Sequence, residues 1–147
     1  SEITMIEPDC IFCQILSGER HSIRVAESPL SLAFMDIQPV SLGHTLIVPR
    51  RHVCSFTDLT APEVSDLMIA AQEVARGLRT VFPDHDGITL SLADGASAGQ
   101  EVPHTHLHVI PRQRADGFGW RRFGSKSDSE TLEQLGQRIR VAIAGTS

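Results

Sequence analysis

Three histidines alternate with other side chains near the middle of the C-terminal half of the chain: His104, His106 and His108. Side chains on a β-strand point alternately to its two faces, so a strand over residues 102–111 would place the three imidazoles on one face, about 6.5 Å apart. An imidazole can act as a metal ligand, a nucleophile or a hydrogen-bond donor close to neutral pH. The row therefore predicts a functional site carried by one strand.

Three interpretations of this row are open. Two histidines at positions i and i+2 could bind zinc with a third ligand from elsewhere, leaving one position for water. The histidines could instead be structural and hydrogen-bonded beneath a loop, although three such residues in succession would be unusual. In the interpretation that we favour, one imidazole is a nucleophile held by a structural partner and a second donates hydrogen bonds to an anion, as metal-free phosphoryl or nucleotidyl transfer requires.

The cysteines offer a second kind of chemistry. Cys10 and Cys13 form a C-x-x-C pair that could be redox-active, zinc-binding or incidental. A thioredoxin-like pair would follow a strand, whereas Glu7-Pro8-Asp9 precedes this one, so we favour metal binding, provided that histidines elsewhere complete a set of four ligands. Cys54 is expected to be a small buried apolar residue. The chain has three cysteines, and an odd number does not indicate a disulfide framework.

The elements that must position these residues follow from hydrophobic periodicity. Thr60 and Glu63 form a capping box ahead of apolar residues at helical spacing, which predicts a long helix over 60–82 that packs on a sheet. A second capping box at Ser127 and Glu130 would open a C-terminal helix over 129–144. A short helix over 11–16 would end at Ser17-Gly18. Strands are predicted over residues 24–27, 31–36, 44–48, 87–94 and 102–111. The pattern indicates an α+β fold with a five-stranded antiparallel meander.

Composition limits the classes of function. The chain has 147 residues, 41% of them hydrophobic and 21% charged, which is typical of one globular domain, residues 1–147. The net charge of -5 disfavours binding to a nucleic acid polymer. The apolar runs are far shorter than the ~20 residues of a membrane span, and no signal peptide opens the chain. We therefore expect no membrane association and a cytoplasmic location.

Several segments taken together carry a resemblance to a known family. They are Gly43-His44-Thr45-Leu46-Ile47-Val48-Pro49-Arg50-Arg51-His52, then Gly99-Gln100-Glu101-Val102-Pro103 and the row from His104 to Ile110, together with Cys10-Ile11-Phe12-Cys13 and Phe34-Met35-Asp36-Ile37. In this order they resemble the histidine-triad family of nucleotide-binding hydrolases and transferases, in its Cys-x-x-C-bearing bacterial form. The resemblance extends from Cys10 to about Arg112. It implies a two-fold homodimer with a purine nucleotide pocket on each protomer.

The resemblance also implies roles for the catalytic residues. His106 would attack the α-phosphorus to form a nucleotidyl-histidine, with its other ring nitrogen donating to a main-chain carbonyl. His108 and Gln100 would donate to the phosphate, aided by the main-chain amides of Gly99, Gln100, Glu101 and Val102. His44 would lie behind this face, bonded to a ligand or to a ring of the triad, unless it is a solvent-facing residue at a strand edge.

The remaining site residues follow from the same resemblance. Asp36 would bind ribose hydroxyls, or else serve as a turn residue. Phe12 and Ile37 would line the base pocket, or else only pack. Cys10, Cys13, His52 and His104 would hold a structural zinc ion with all four positions filled by protein.

The function implied is a hydrolase of purine mononucleotide derivatives, with adenosine phosphoramidates as the first choice of substrate. The alternatives are a dinucleoside polyphosphate hydrolase, a nucleotide sensor with low turnover and a hydrolase with catalytic zinc. The family often has Asn where Ala93 stands and Ser or Thr where Glu101 stands, which leaves the leaving group open. We expect the main-chain amide of Glu101, and not its carboxylate, to contact phosphate, with the side chain toward solvent or toward Arg112 or Arg114.

Overall fold

The structure is a computed structural model, and it describes residues 7–119 and 125–145. Five strands and three α-helices are present among these residues. The helices are α1 (Ile11–Ser17), α2 (Ala61–Val81) and α3 (Ser129–Ala144), and the strands are β1 (Arg24–Glu27), β2 (Ser31–Met35), β3 (Thr45–Pro49), β4 (Gly87–Ser91) and β5 (Leu107–Arg112). Short 3₁₀ turns lie at Phe56–Asp58 and Ala96–Ala98.

All five strands form one antiparallel sheet in the order β1-β2-β3-β5-β4. The predicted antiparallel sheet is confirmed, but its strands follow a meander only from β1 to β3 and again from β4 to β5. Val109 and Ile110 of β5 are almost fully buried, as expected for a strand with neighbours on both sides. The residues of β4 are half-buried or exposed, as expected for an edge strand.

The predicted capping box of α2 is present: the Thr60 hydroxyl accepts from the Glu63 amide and the Glu63 carboxylate accepts from the Thr60 amide. The buried stripe of α2 consists of Leu67, Ala70, Ala71 and Val74, and it packs against alternate residues of the sheet, Ala33, Ile47, Leu107 and Val109. Two residues in the predicted periodic pattern, Met68 and Val81, are exposed. The helix therefore covers one face of the sheet with a narrow apolar stripe.

The short helix α1 lies against the opposite face. Its Phe12, Cys13 and Ile15 pack against Leu32, Phe34, Leu46 and Val48, the strand residues that alternate with those facing α2. Cys10 is the N-cap, and its sulfur accepts from the Cys13 amide. Gly18 ends the helix at φ 84°, a conformation that glycine adopts without steric cost. These caps bring the C-x-x-C pair against the end of β3.

Two predicted strand boundaries are wrong. Strand β4 ends at Ser91 and not at 94, and the Asp94 carboxylate instead accepts from the Phe56 amide and the Ser55 hydroxyl. Strand β5 begins at Leu107 and not at 102, because the amide and hydroxyl of Thr105 both donate to the Val53 carbonyl and not to a neighbouring strand. His104 and His106 consequently lie in an irregular segment just before the strand.

The chain divides into two compact units, Ser1–Gly117 and Phe118–Ser147. The first contains the sheet, α1 and α2. The second contains α3, whose N-cap is Asp128 accepting from the Thr131 amide, so the predicted capping box at Ser127 and Glu130 is wrong. Among the residues described, none of the helices is long and apolar enough to cross a membrane.

Candidate active site and metal cluster

Four histidines gather on the face of the sheet that carries α1, in two groups. His106 lies directly before β5 and His108 is its second residue, with ring centroids 5.1 Å apart. His44 comes directly before β3, and because Leu46 of β3 is paired with His108, His44 reaches the same ring. His104 turns away toward the cysteines. The predicted row therefore divides between a catalytic candidate group and a metal cluster.

The imidazole of His106 has a defined tautomer. Its Nδ1 lies 2.8 Å from the main-chain oxygen of His104. A carbonyl can only accept, so Nδ1 carries the hydrogen and Nε2 keeps its lone pair. The ring is buried, with the edge of Phe12 packed against it at a centroid distance of 5.1 Å. In its neutral form His106 thus has one free basic nitrogen, Nε2, as a nucleophile requires.

Two successive hydrogen bonds determine the tautomers of His44 and His108. The amide of Val40 donates to His44 Nδ1 at 3.1 Å, so the hydrogen of the neutral His44 ring is on Nε2. His44 Nε2 lies 2.8 Å from His108 Nδ1, which must then accept. The remaining hydrogen of His108 is therefore on Nε2. This nitrogen can donate to an anion beside the lone pair of His106.

Burial keeps these rings neutral. Desolvation lowers the pKa of His44 below its usual value, opposed by the nearby carboxylate of Asp36. Desolvation also lowers the pKa of His108 to about 4, reinforced by the adjacent imidazoles of His106 and His44 and opposed by Asp36. Both rings are therefore uncharged near pH 7. Each neutral ring has one N–H and one lone pair, as the hydrogen bonds from Val40 to His44 and from His44 to His108 require.

The predicted ribose and base residues are placed differently from one another. Asp36 is half-buried; one carboxylate oxygen accepts from the Gln38 amide at 2.8 Å, as a turn residue does, and the other lies 3.5 Å from His44 Nε2. Ile37 is next to it and is 92% exposed. Phe12 is only 4% exposed and packs between Phe34 and His106, so its ring presents little surface to a ligand.

The predicted phosphate loop has two kinds of amide. Gly99 and Gln100 donate within the turn, to the Ala96 and Gly95 carbonyls. The amides of Glu101 and Val102 donate to no group in the part of the chain that the structure describes. Of the four amides expected to face phosphate, these two are available.

The side chains of this loop also differ from expectation. The Gln100 side-chain amide donates to the Cys54 and Val102 carbonyls and accepts from the Gly95 amide, so both of its hydrogens are used in holding the loop. Glu101 is exposed. The two arginines expected as its partners pair with aspartates, Arg112 with Asp116 and Arg114 with Asp86.

Cys10, Cys13, His52 and His104 form the predicted ligand set, with ligand atoms that all lie within 4.8 Å of one another. The Cys10 sulfur is 3.5 Å from His104 Nδ1, and the Cys13 sulfur is 3.3 Å from His52 Nδ1 and 3.6 Å from His104 Nδ1. Zinc bonded tetrahedrally to sulfur and nitrogen would separate them by about 3.6 Å. These distances fit a zinc ion.

The surroundings of the cluster also fit a metal. Burial raises the pKa of the Cys13 thiol, and the neighbouring Cys10 adds to the rise, so a cation is needed to hold the Cys13 sulfur as a thiolate. The Glu7 amide donates to the Cys13 sulfur. His104 Nε2 donates to the Pro49 carbonyl at 2.9 Å, which leaves Nδ1 free to bind, and burial lowers its pKa to about 4.

The sequence contained no indication of two main-chain groups that orient imidazoles, and it predicted the wrong burial for Cys54. The amide of Val40 and the carbonyl of Pro49 orient imidazoles, yet main-chain groups leave no trace in residue type. Cys54, expected to be buried, is exposed, with its sulfur 3.0 Å from the Pro103 carbonyl. It lies outside the four-residue ligand set.

Comparisons with known proteins agree with this arrangement. The family model described as the HIT domain matches residues 17–115. A HIT-like protein of Borreliella burgdorferi is 39% identical over 138 residues, covering 92% of this chain and 99% of the relative. The chain belongs to the HIT family. The resemblance drawn from the histidine row and the C-x-x-C pair is confirmed.

Two further HIT relatives have names that state an activity. The adenosine 5′-monophosphoramidase of Schizosaccharomyces pombe is 32% identical over 137 residues, covering 91% of this chain and 98% of the relative. A bifunctional bis(5′-adenosyl)-triphosphatase/adenylylsulfatase of Arabidopsis thaliana is 47% identical over 89 residues, covering 60% of this chain and 49% of the relative.

Solved HIT structures match the fold. A protein of Streptococcus mutans superposes with a TM-score of 0.89 at 32% identity, covering 97% of this chain and 90% of that chain. A Zn-bound histidine triad family protein of Mycobacterium smegmatis gives a TM-score of 0.71 at 33% identity, covering 95% of this chain and 98% of that chain. The five-stranded antiparallel sheet is thus shared with solved members of the family.

Proposed function

We propose that this HIT protein hydrolyses purine mononucleotide derivatives, with adenosine phosphoramidates as the preferred class, through a nucleotidyl intermediate on His106. The observation that carries the proposal is the pair of opposed tautomers: a lone pair on His106 Nε2 beside a hydrogen on His108 Nε2. A nucleophile next to a donor suits attack on a phosphorus atom whose oxygens gain negative charge. The phosphoramidase relative from Schizosaccharomyces pombe supports the substrate class.

The reaction has two displacements. His106 Nε2 attacks the α-phosphorus, the bond from phosphorus to the amine nitrogen breaks, and the amine departs with a proton supplied by solvent, because neutral His108 has only the one hydrogen that it donates to the phosphate. Water then attacks the same phosphorus and releases a proton to solvent, the phosphorus–nitrogen bond to His106 breaks, and AMP and the free imidazole result. While His106 carries the nucleotidyl group its ring is cationic, and the hydrogen bond from Nδ1 to the His104 carbonyl stabilises that charge.

The neighbouring residues would bind the rest of the nucleotide. The amides of Glu101 and Val102 would donate to the phosphate oxygens, and Gln100 would hold their loop in place. Asp36 would accept from the ribose hydroxyls through the oxygen that faces His44. Ile37 would cover the base with its exposed side chain, while Phe12 would support the ring of His106 from behind.

The metal cluster would have a structural role. Zinc held by two cysteines and two histidines has no open position for substrate. Such an ion would tie α1 to the end of β3 and to the segment before β5, and it would supply no group to the reaction.

A dinucleoside polyphosphate hydrolase is the second candidate. The relative from Arabidopsis thaliana, whose name includes bis(5′-adenosyl)-triphosphatase, is 47% identical across the segment it shares with this chain. The same nucleophile and donor would serve, and only the leaving group would change from an amine to a nucleotide phosphate.

Turnover of a substrate panel tests the proposal. AMP linked to an amine, AMP linked to phosphate and a diadenosine polyphosphate are compared in the original protein and in His106→Asn. We expect the amine adduct to be hydrolysed fastest and His106→Asn to lose several orders of magnitude in turnover while still binding AMP. His21→Asn, at an exposed histidine, is the matched control.

Each other outcome of this panel has a defined meaning. Faster hydrolysis of the dinucleotide would favour the second candidate. AMP binding without turnover of any substrate would indicate a nucleotide sensor. Near-normal activity of His106→Asn would exclude covalent catalysis through this residue. Activity lost with a chelator in a protein that stays folded, and regained with zinc, would indicate a catalytic metal.

A further inference from the structure

The loop between β2 and β3 contributes a main-chain group to the candidate active site. Val40 is 47% exposed, and it takes part in the site through its main-chain amide, which lies 3.1 Å from Nδ1 of His44. His44 itself is 2% exposed. A buried ring nitrogen is therefore paired with a donor from an otherwise solvent-facing residue.

A main-chain amide can only donate, and this fact determines the direction of the whole chain of bonds. If His44 carried a hydrogen on Nδ1, two hydrogens would face each other across 3.1 Å in a buried place. The His44 hydrogen is thus restricted to Nε2, where it meets Nδ1 of His108 at 2.8 Å. The other nearby acceptor, a carboxylate oxygen of Asp36, is farther away at 3.5 Å.

We propose that the main-chain amide of Val40 is a positioning group that sets the tautomer of His108 through His44. It keeps the hydrogen of His108 on Nε2, the nitrogen that faces the position of a phosphate. The tautomer assignment stands on the hydrogen bonds alone, whereas its effect on rate rests on the proposed function.

Two contacts hold the loop that carries this amide. The hydroxyl of Ser41 donates to the Pro111 carbonyl, and the amide of His44 donates to the Ser41 carbonyl in a turn. Gly43, third in that turn, has φ 102°, and a Cβ there would lie 2.6 Å from the Phe82 ring. The turn is thus seated tightly on α2.

This arrangement links nucleotide contact to catalysis. Asp36 and Ile37, the proposed ribose and base contacts, belong to the same loop as Val40. Because β2 ends at Met35 and β3 begins at Thr45, one short segment carries both the residues proposed to contact the nucleoside and the amide that orients His44.

Nuclear magnetic resonance of the ¹⁵N-labelled full chain tests the tautomers directly. In the unmodified protein we expect His44 and His108 both to carry their hydrogen on Nε2 near pH 7. We also expect scalar couplings across two hydrogen bonds, between the Val40 amide nitrogen and His44 Nδ1, and between His44 Nε2 and His108 Nδ1. Absence of the Val40–His44 coupling, or a His108 hydrogen on Nδ1, overturns the proposal whatever the activity.

Substitution adds a causal test. Val40→Pro removes the donor and should give mixed tautomers at His44 and His108, with turnover of an AMP-amine substrate lowered about tenfold or more. Val40→Ala keeps the amide and should keep both tautomers. Leu42→Pro is the control for introducing proline into this loop. It puts proline at the second position of the Ser41–His44 turn, a position that proline favours, and should keep both the tautomers and the activity.

The outcomes separate this inference from the proposed function. Suppose that the unmodified protein shows both couplings, that Val40→Pro shifts the tautomers, and that the unmodified protein hydrolyses none of the nucleotides. The positioning role would then be supported and the proposed function refuted. Unchanged tautomers in a folded Val40→Pro would refute the positioning role. If Val40→Pro does not fold, the couplings of the unmodified protein decide the matter.

Discussion

Glu101 combines an exposed carboxylate with a main-chain amide that has no partner among the described residues. A second anion ~4 Å from phosphate at an effective dielectric near 20 would cost roughly 4 kcal/mol, about a thousandfold in affinity. We therefore expect the amide to bind phosphate and the side chain to stay in solvent. Glu101→Gln should change AMP affinity only slightly between pH 5 and 8, as measured by calorimetry.

Glu19→Gln, at an exposed residue after α1, is the control for a general loss of negative charge. A large gain of affinity in Glu101→Gln that grows with pH would show that the carboxylate faces the phosphate. The leaving group would then have to be handled differently from the scheme proposed above.

At the scale of residues, the sequence predicted the candidate metal ligands and the main-chain carbonyl partner of His106, but not the partners of Gln100. The imidazoles and thiols could be assigned because few residue types perform their chemistry, and the structure brings Cys10, Cys13, His52 and His104 together as expected. Gln100 was expected to donate to phosphate, yet its amide is bonded to main-chain carbonyls. An amide side chain can serve either partner, and only the folded loop decides between them.

At the scale of elements, we expect α1 to depend on a metal bound by Cys10, Cys13, His52 and His104. This helix has seven residues, too few for independent stability, and its N-cap is itself a predicted ligand. We expect about one zinc ion per chain by metal analysis. Cys13→Ser should lose the zinc and lower the free energy of unfolding by several kcal/mol, measured in urea.

Cys54→Ser is the matched control for this prediction, because it replaces an exposed thiol outside the ligand set with a hydroxyl that can keep its 3.5 Å contact with His52 Nε2. It should retain both zinc and stability. A metal-free protein with the full free energy of unfolding would show that the C-x-x-C pair is incidental, and metal bound between His106 and His108 would overturn the division of the histidines.

The start of α2 is stabilised by an ion pair between the half-buried Arg51 and the buried Glu63. Glu63 accepts two hydrogen bonds from Arg51, at 2.7 and 3.0 Å, in addition to its capping bond. These bonds lower the pKa of Glu63 below 4.5, against the effect of burial. The ionised carboxylate thus contributes stability above the unfolded pKa, and the contribution is lost as the pH falls through the folded one.

Glu63→Gln should therefore lower the free energy of unfolding by about 1–2 kcal/mol at pH 7 and by less near pH 3. Glu73→Gln, on an exposed face of the same helix, should show no such difference between the two pH values. A deficit in Glu63→Gln that is equally large at pH 3 would mean that lost packing, and not charge, is responsible. Urea unfolding at both pH values measures it.

The ends of elements were less predictable than their existence. Every predicted helix and strand is present, because hydrophobic periodicity is a property of the segment itself. The strand limits at residues 94 and 102 were wrong because Asp94 and Thr105 bond to groups of the 53–56 segment, remote in sequence. The predicted N-cap of α3, Ser127, was wrong by one position, because the Asp128 carboxylate accepts from the Thr131 amide.

At the scale of the whole molecule, the sheet has two unequal edges. Strand β1 carries an Arg24–Glu27 ion pair and an irregular register, both of which discourage pairing with another strand. Strand β4 has no charged residue, and its exposed Leu90 lies beside Met68 and Ile69 of α2 in one apolar groove. We therefore predict a homodimer in which two β4 strands pair across a two-fold axis.

Leu90→Lys should convert this dimer into a monomer, since it buries two charges at the axis, and sedimentation equilibrium at micromolar concentration measures the change. Val25→Lys, at an equally exposed position on β1, should leave the dimer intact. A monomeric unmodified protein would count against the prediction, and dissociation by Val25→Lys alone would place the interface on the other edge.

The interior position of β5 in the sheet has a consequence for how the chain is made. It comes last in chain order among the described strands, yet it pairs with β3 on one side and β4 on the other. A nascent chain that ends before residue 107 has an open edge at β3 and leaves β4 without its described neighbour, and such edges invite pairing with other chains. Because His108 lies on β5 and His106 directly precedes it, the step of synthesis that joins β4 to the sheet also completes the candidate active site.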